Sequence, residues 1–438
     1  MQEIERSHWG NRAGFIFAAA GSAVGLGNIW RFPYMTGENG GSIFVLVYLL
    51  AVAFLGLPIL IAEVLLGKAT QRNPVGAFKS IAGDKSPLQI VGFIGLLAAF
   101  VILSYYSVIA GWALGFMHRS IAGVFEPGHS MEEVKRIFND LTSSPVQQIV
   151  FHGIFISAVI AIVAAGVQKG IQRWNELLMP ALIFILIGLI IYGFSLPGAM
   201  QGIKFMLQPN PGKLTGASVL AAIGQCFFSL SLGMGAMITY GSYLKRHDRA
   251  SGSSGWVVTM DTGIALLAGF AVFPIVFSFG QEPAQGPGLV FVSLPAAFLQ
   301  MPGGTWVAMA FFILLFMAAL TSAISLLEVI TAYFSDEHSV PRHLGAVMFG
   351  FISFLTGIGV TYSSGYFDFL DKLASNYLLP LGAVSISLFV GWRLKKEIIK
   401  TDFEGTFYAG IFGVWLWCIR LISPVLVIIV FLNALGLF

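Results

Sequence analysis

A few polar side chains sit inside apolar sequence: Ser22, Asn28, Ser229, Ser231, Asp261, Thr321 and Ser322. They offer hard oxygen donors, which suit a cation such as Na⁺. No His or Cys cluster accompanies them, so a transition-metal site is not expected. Taken singly, a membrane Ser or Thr usually bonds to its own helix. Asn28 is more telling, because it stands beside a run of glycines where an amide has little packing purpose. Asp261 is the most telling. A carboxylate deep in an apolar segment is costly unless partnered, and it reads as functional. No carboxylates pair as acid and base and no nucleophile has a base beside it, so enzyme chemistry is not expected.

Two stretches must position these groups. The first, Ala18 to Pro33, contains Gly21, Gly25 and Gly27 and is followed by Glu38-Asn39-Gly40-Gly41. Three glycines in seven residues weaken a helix where hydrocarbon most needs its backbone bonds closed. Arg31 then adds a charge that costs roughly 2.5 kcal/mol or more in mid-membrane unless paired or hydrated. Irregular backbone at such depth is tolerated only where it lines a cavity. The second stretch, Phe227 to Ala236, is interrupted by small residues, although Gly233-Met234-Gly235 alone would pass as close helix packing. Each opened helix exposes half-helix N-termini that attract a carboxylate and carbonyls that hold a cation. Glu63 needs donors, and the freed N–H groups of these breaks are the expected source.

The chain around them is 438 residues long, 57% hydrophobic and only 10% charged, where a soluble protein carries about 25%. It reads as an all-α polytopic membrane protein in a single domain. Eleven apolar spans meet the ~20-residue requirement of a bilayer: about 12–38, 42–68, 88–122, 147–166, 171–194, 217–244, 252–280, 302–334, 342–361, 367–392 and 406–436. Outside them, a short helix is expected around Met131–Asp140, and Leu289–Gln300 reads as a re-entrant lid. The leader before the first span is not a signal peptide by its pattern. Of the 24 Lys and Arg, sixteen fall on the side that holds the N-terminus and six on the other, which places the N-terminus in the cytoplasm and the C-terminus outside. These charges sit at span ends and imply no nucleic-acid partner. Cys226 and Cys418 form neither a metal spacing nor a disulfide framework.

The interrupted spans are the first and the sixth, five apart. Interrupted segments at matching places in two halves point to a transporter site at a repeat interface. An odd repeat of five gives the halves opposite topology: about 12–194, about 217–392, and an extra helix at about 406–436. Charge positions suggest two gate pairs. At the outer end Arg31 would pair with Asp371, with Asp368 as the alternative; at the inner end Arg6 would pair with Asp336. The competing reading is that all four are solvated at the interface.

The run Gly21-Ser22-Ala23-Val24-Gly25-Leu26-Gly27-Asn28-Ile29-Trp30-Arg31-Phe32-Pro33 resembles the signature of the neurotransmitter:sodium symporter family. So do Tyr105-Tyr106, Gln225 to Ser231, Ala318 to Ser322 and Phe367 to Asp371, in order and spacing along nearly the whole chain. The resemblance implies a LeuT-like fold, a 5+5 inverted repeat whose helices 1 and 6 unwind at mid-membrane, and sodium-coupled import of an amino acid across the cell inner membrane. The substrate carboxylate would meet amides around Leu26 and Gly27 and the Tyr106 hydroxyl, and its amine would meet carbonyls of Ala23, Phe228 and Ser231. The side-chain pocket would be lined by Ser22, Ile102, Tyr106, Phe228, Met234, Ser322 and Leu326. One sodium would use Ala23, Asn28, Ser229 and Asp261. A second would use carbonyls of Gly21, Val24 and Ala318 with the hydroxyls of Thr321 and Ser322. Phe228 and Tyr106 resemble the aromatic lid over the substrate. The two proposed charge pairs match the family's outer and inner gates. Gly170 and Pro180 resemble the element linked to unwinding of the fifth span. Lipid is the surrounding partner, and a homodimer is compatible with the family.

Departures refine these expectations. Asp261 stands where the family usually has Asn. Of the chloride-site positions Tyr48, Gln225 and Ser229 fit, but Ala265 lacks the last hydroxyl. A fixed carboxylate supplies the negative charge that chloride would bring, so chloride-independent transport is expected. With sodium gone, Asp261 would be a lone buried carboxylate, and proton counter-movement is the secondary expectation. Ser22 and the flexible Met234 favour a bulky apolar or aromatic L-amino acid, tyrosine among the candidates. The family's usual twelfth span is absent, which should leave the ten-span core able to transport. The alternatives are a proton-coupled transporter of the same fold and a non-transporting membrane sensor.

Overall fold

The computed structural model describes residues 7–282 and 288–434. Arg6, half of the expected inner gate, lies outside the described residues. Among those residues all regular structure is helical, as hydrocarbon requires of backbone that must close its own hydrogen bonds. Among the described residues nine helices are long and apolar enough to cross a membrane, and the bent pair Arg12–Ala23 and Gly27–Glu38, which turns by 51° at its break, makes a tenth span. The sixth apolar segment folds as Gly216–Ser229 and Ala236–Gly241 on either side of an irregular stretch. Together these elements correspond to the eleven segments read from the sequence. Gln89–Ile121 and Gly304–His338 have 33 and 35 residues. Both exceed what a bilayer needs, an excess that tilting or extension beyond the hydrocarbon can accommodate.

Contacts at the two ends show how the spans alternate. At the end where the chain begins, Trp9 Nε1 donates to Tyr240 O at 2.9 Å and the Trp9 amide to Tyr243 O at 3.0 Å. His8 Nδ1 lies 3.3 Å from Tyr243 O, Gln168 Nε2 donates to His8 O, and the Gly10 amide donates to Gln172 Oε1. This N-terminal segment is therefore tied to both the fifth and the sixth spans. The fifth span begins irregularly here: Val167–Gln172 is a wide turn that follows Gly166, and Pro180 lies inside the helix that continues it.

The second and seventh spans and the 10–11 connection meet at the same end. Lys68 Nζ donates to Asp402 Oδ1 at 2.5 Å, and both groups are buried. The same carboxylate accepts from the Ala250 and Ser251 amides at 3.0 and 2.8 Å, capping helix Ala250–Ser278. Removing one member of a buried pair strands the other charge, typically at a cost of about 3–5 kcal/mol. Asp402→Ala is therefore expected to lower thermal stability by several degrees, read as the melting temperature in detergent, whereas Lys68→Ala with Asp402→Ala should restore part of the loss.

At the opposite end, Met131–Thr142 carries a capping box. The Ser130 hydroxyl accepts from the Glu133 amide and the Glu133 carboxylate accepts from the Ser130 amide. That bond to the Ser130 backbone holds the Glu133 carboxyl below its usual range. Leu289–Leu299 is buried and too short to cross a membrane. Its Phe291 packs edge-on to Trp30 and Trp112, so the segment roofs the bundle beside the first span, consistent with a re-entrant lid.

Candidate functional site

The first span opens where its residues cannot sustain a helix. Helix Arg12–Ala23 ends at Val24, whose ψ of 102° turns the chain into extended backbone. Gly25 admits no side chain: a Cβ there would stand 2.3 Å from Ser322 Oγ and 2.7 Å from Tyr106 Oη. The next amides are taken up by side chains. Gly25 N–H donates to Asn28 Oδ1 at 3.1 Å, and Leu26 N–H donates to the Tyr106 hydroxyl oxygen at 3.1 Å. The sixth span opens in register with it. Ser231, Gly233 and Gly235 have φ of 53°, 82° and 77°, the left-handed region that suits glycine. At Gly233 a Cβ would also meet Leu379 O at 2.3 Å. Its amide donates to Glu63 Oε1 at 2.7 Å, so Glu63 finds the donor expected of a broken helix. The two breaks are stitched together: Ser231 Oγ donates to Ser22 O at 2.9 Å, and Gln225 Nε2 donates to Gly27 O at 2.7 Å.

Around the break in the first span, two oxygen-rich clusters form. In the first, Asn28 Nδ2 donates to Asp261 Oδ1 at 2.7 Å and to Ser229 Oγ at 3.2 Å, while Ser229 Oγ lies 2.9 Å from Asp261 Oδ2. Asn28, Ser229 and Asp261 are completely buried. In the second, Thr321 Oγ1 lies 3.0 Å from Ala318 O and 3.3 Å from Val24 O. Ser322 Oγ lies 3.3 Å from Val24 O and 3.5 Å from Gly21 O. This donor set is all oxygen, three carbonyls and two hydroxyls, the chemistry of a hard monovalent cation and not of a soft metal. Among the described residues no cluster of His, Cys, Asp and Glu could hold a metal.

Beside these clusters lies a small cavity bounded by Ser22, Ala23, Gly25, Gly27, Ile102, Tyr106, Phe228, Ser231, Met234, Ser322 and Leu326. Every residue expected around the substrate except Leu26 borders it; Leu26 instead turns its amide to Tyr106. The free volume is about 20 Å³, room for roughly one water. A bulky side chain would not fit this space without movement of the residues that line it. On its other face Phe228 borders a second cavity of about 530 Å³, lined by Arg31, Met35, Ser375 and Asn376 among others. Phe228 is the one residue common to both cavities, in the position of a lid.

The outer charges are arranged differently from the simple pair. Arg31 and Asp371 form no ion pair within 4 Å; the Arg31 guanidinium lies 4.5 Å from the centre of the Phe228 ring, a cation–π contact. Asp371 accepts from the Tyr105 hydroxyl at 3.0 Å and the Ser375 hydroxyl at 3.2 Å. Among the described residues Asp368 makes no ion pair with Arg31 either. At the other end Asp336 accepts from the Asn73 amide and side chain at 3.3 and 3.2 Å. The chloride-position residues converge as well: Tyr48 donates to Ser229 Oγ at 3.3 Å, and the Gln225 amide oxygen is buried without a partner.

Sequence reasoning missed Glu328. It is fully buried, accepts from Tyr243 Oη at 2.5 Å and forms an ion pair with Arg342. The signal was available, since a carboxylate inside the apolar eighth segment is as conspicuous as Asp261. It also missed Asn175, whose buried side-chain oxygen lacks a partner and lies against Gly21.

Two opened helices facing each other across hard-oxygen clusters, inside a bundle of membrane-spanning helices, define a secondary transporter. The chain matches the Sodium:neurotransmitter symporter family over residues 6–134 and 129–438, and it belongs to that family. It is thus a multi-pass, sodium-dependent transporter and not an enzyme. The uncharacterized sodium-dependent transporter YhdH of Bacillus subtilis is 39% identical over all of this chain and 99% of its own. An uncharacterized sodium-dependent transporter of Haemophilus influenzae is 34% identical over 98% of each chain. The crystal structure of MhsT in complex with L-phenylalanine superimposes with a TM-score of 0.90 and 42% identity, covering 98% of this chain and 100% of that one.

Proposed function

We propose that this transporter imports an L-amino acid with a bulky apolar or aromatic side chain, tyrosine among the candidates, by alternating access coupled to Na⁺ and without chloride. The observation that carries the reading is Asp261, a buried carboxylate hydrogen-bonded to Asn28 and Ser229 at the mouth of the first break. It supplies the negative charge that a sodium and a zwitterionic substrate need beside them. The Ala23 carbonyl would complete that sodium's shell, and Gly21, Val24, Ala318, Thr321 and Ser322 would hold a second. The substrate carboxylate would accept from the amides around Leu26 and Gly27 and from the Tyr106 hydroxyl. Its amine would face the carbonyls of Ala23, Phe228 and Ser231. The phenylalanine bound in the similar structure supports an aromatic substrate, and Met234 gives the pocket the flexibility such a guest requires.

The closing step would lower Phe228 and carry Arg31 toward Asp371. The loop charges support an N-terminus in the cytoplasm, a C-terminus outside and residence in the cell inner membrane. Uptake of a labelled aromatic amino acid into proteoliposomes, driven separately by Na⁺ and H⁺ gradients and competed by each of the twenty amino acids, tests the reading. Uptake should require the Na⁺ gradient and be competed best by aromatic and large aliphatic L-amino acids. Uptake driven by H⁺ alone, or competed best by acidic or basic amino acids, would overturn it.

A further inference from the structure

Arg420 is the one arginine in the last span, away from the transport site and level with the end of the tenth span. It lies on Cys418–Ile422, a wide turn within that span. Its Nε donates to Gly391 O at 2.6 Å, and its guanidinium carbon stands 4.8 Å from the centre of the Trp392 ring. Gly391 makes this approach possible, since a Cβ there would come within 3.1 Å of Arg420 Cγ. Among the described residues no carboxylate pairs with it, and its two terminal nitrogens have no protein acceptor. Arg420 lines a groove of about 240 Å³ between the tenth and eleventh spans, together with Trp392, Leu416, Trp417 and Leu421. Trp392 and Trp417 are 61% and 66% exposed, so the groove opens outward from the bundle.

An arginine half-buried on the outer face of a membrane protein still needs an acceptor. Its fork of donors matches a phosphate in two-pronged geometry, and the apolar walls match acyl chain. The span ends at Arg393 and is followed by exposed Lys395, Lys396 and Lys400, against the exposed acids Glu397 and Glu404. A basic pocket between spans, continued by basic residues at the membrane surface, is the pattern that binds anionic headgroups. Exposed tryptophans belong at that same interface. We infer that the groove between the tenth and eleventh spans is a binding site for an anionic phospholipid, whose phosphate is held by the Arg420 guanidinium and whose acyl chain runs along Trp392 and Trp417. The apolar lining of the groove by Trp392, Leu416, Trp417 and Leu421 favours a lipid over a free anion.

Native mass spectrometry of the purified full-length protein tests this with added phosphatidylglycerol, phosphatidylcholine or inorganic phosphate. The protein should retain phosphatidylglycerol about tenfold more tightly than phosphatidylcholine, and inorganic phosphate should not displace it. Arg420→Gln should abolish that preference, with phosphatidylglycerol affinity falling about tenfold. Trp417→Ala, which removes a largely exposed ring, should weaken retention about threefold and keeps the test decisive if Arg420→Gln fails to fold. Lys395→Gln with Lys396→Gln should reduce retention only slightly. Unchanged preference in Arg420→Gln and Trp417→Ala, a loss confined to the lysine variant, or displacement by inorganic phosphate would each overturn the assignment.

Discussion

Asp261→Asn is expected to convert chloride-independent uptake into chloride-dependent uptake. The carboxylate accepts from the Asn28 amide and bonds with Ser229 inside a fully buried cluster, so its charge acts at short range with little solvent screening. The Asn side chain keeps the shape and loses the charge. Without chloride, uptake should fall by at least about tenfold, since a lost charge–charge contact of only ~1.4 kcal/mol is already that large. Chloride should restore much of it, because the hydroxyls of Tyr48 and Ser229 and the side-chain N–H groups of Gln225 stand around the neighbouring space and can donate to an anion. Adding Ala265→Ser should raise the affinity for chloride further by supplying the missing hydroxyl. The measurement is initial uptake rate against chloride concentration at fixed Na⁺. Uptake that ignores chloride in both variants would remove Asp261 from this role.

The second large effect is expected at Thr321 and Ser322. Their hydroxyls are two of the five oxygens gathered between the first and eighth spans, each within 3.0–3.5 Å of the carbonyls of Gly21, Val24 or Ala318. Thr321→Val is nearly the same shape but replaces an oxygen by a methyl, and Ser322→Ala removes the other. Each should raise the Na⁺ concentration for half-maximal uptake about tenfold, and the double variant should leave little uptake at ordinary Na⁺. Thermal stability without Na⁺ should change little, which separates ion binding from folding. A double variant with the sodium dependence of the parent would place the second ion elsewhere.

Much of this site was legible because hydrocarbon is an unforgiving solvent. Asp261, Asn28 and Glu63 drew notice as polar groups in apolar sequence, and each has a hydrogen-bond partner. Glycine spacing exposed both helix breaks for the same reason. What escaped were pairings between distant span ends. Lys68 and Asp402 are separated by more than three hundred residues, and every span end carries some charge, so nothing local selects the partner. The outer gate illustrates a different limit. Arg31 and Asp371 were paired by sign alone, whereas the fold offers Arg31 an aromatic face and gives Asp371 two hydroxyls. Charge patterning identifies candidates but does not rank a carboxylate against a ring. The 20 Å³ of free space was equally illegible, because side-chain rotamers decide it.

The knot around His8, Trp9 and Gly10 bears on how tightly this protein can hold a gradient. Its bonds run to two different spans, Tyr240 and Tyr243 on one side and Gln168 and Gln172 on the other. Opening a water path to the ion clusters from that end is expected to require that both sets release. At about 1 kcal/mol net for each of these five contacts, spontaneous simultaneous release would occupy on the order of one molecule in several thousand. Uncoupled sodium leak should therefore be rare. A single change that frees one set, such as Trp9→Ala, would show itself first as a gradient that decays without substrate.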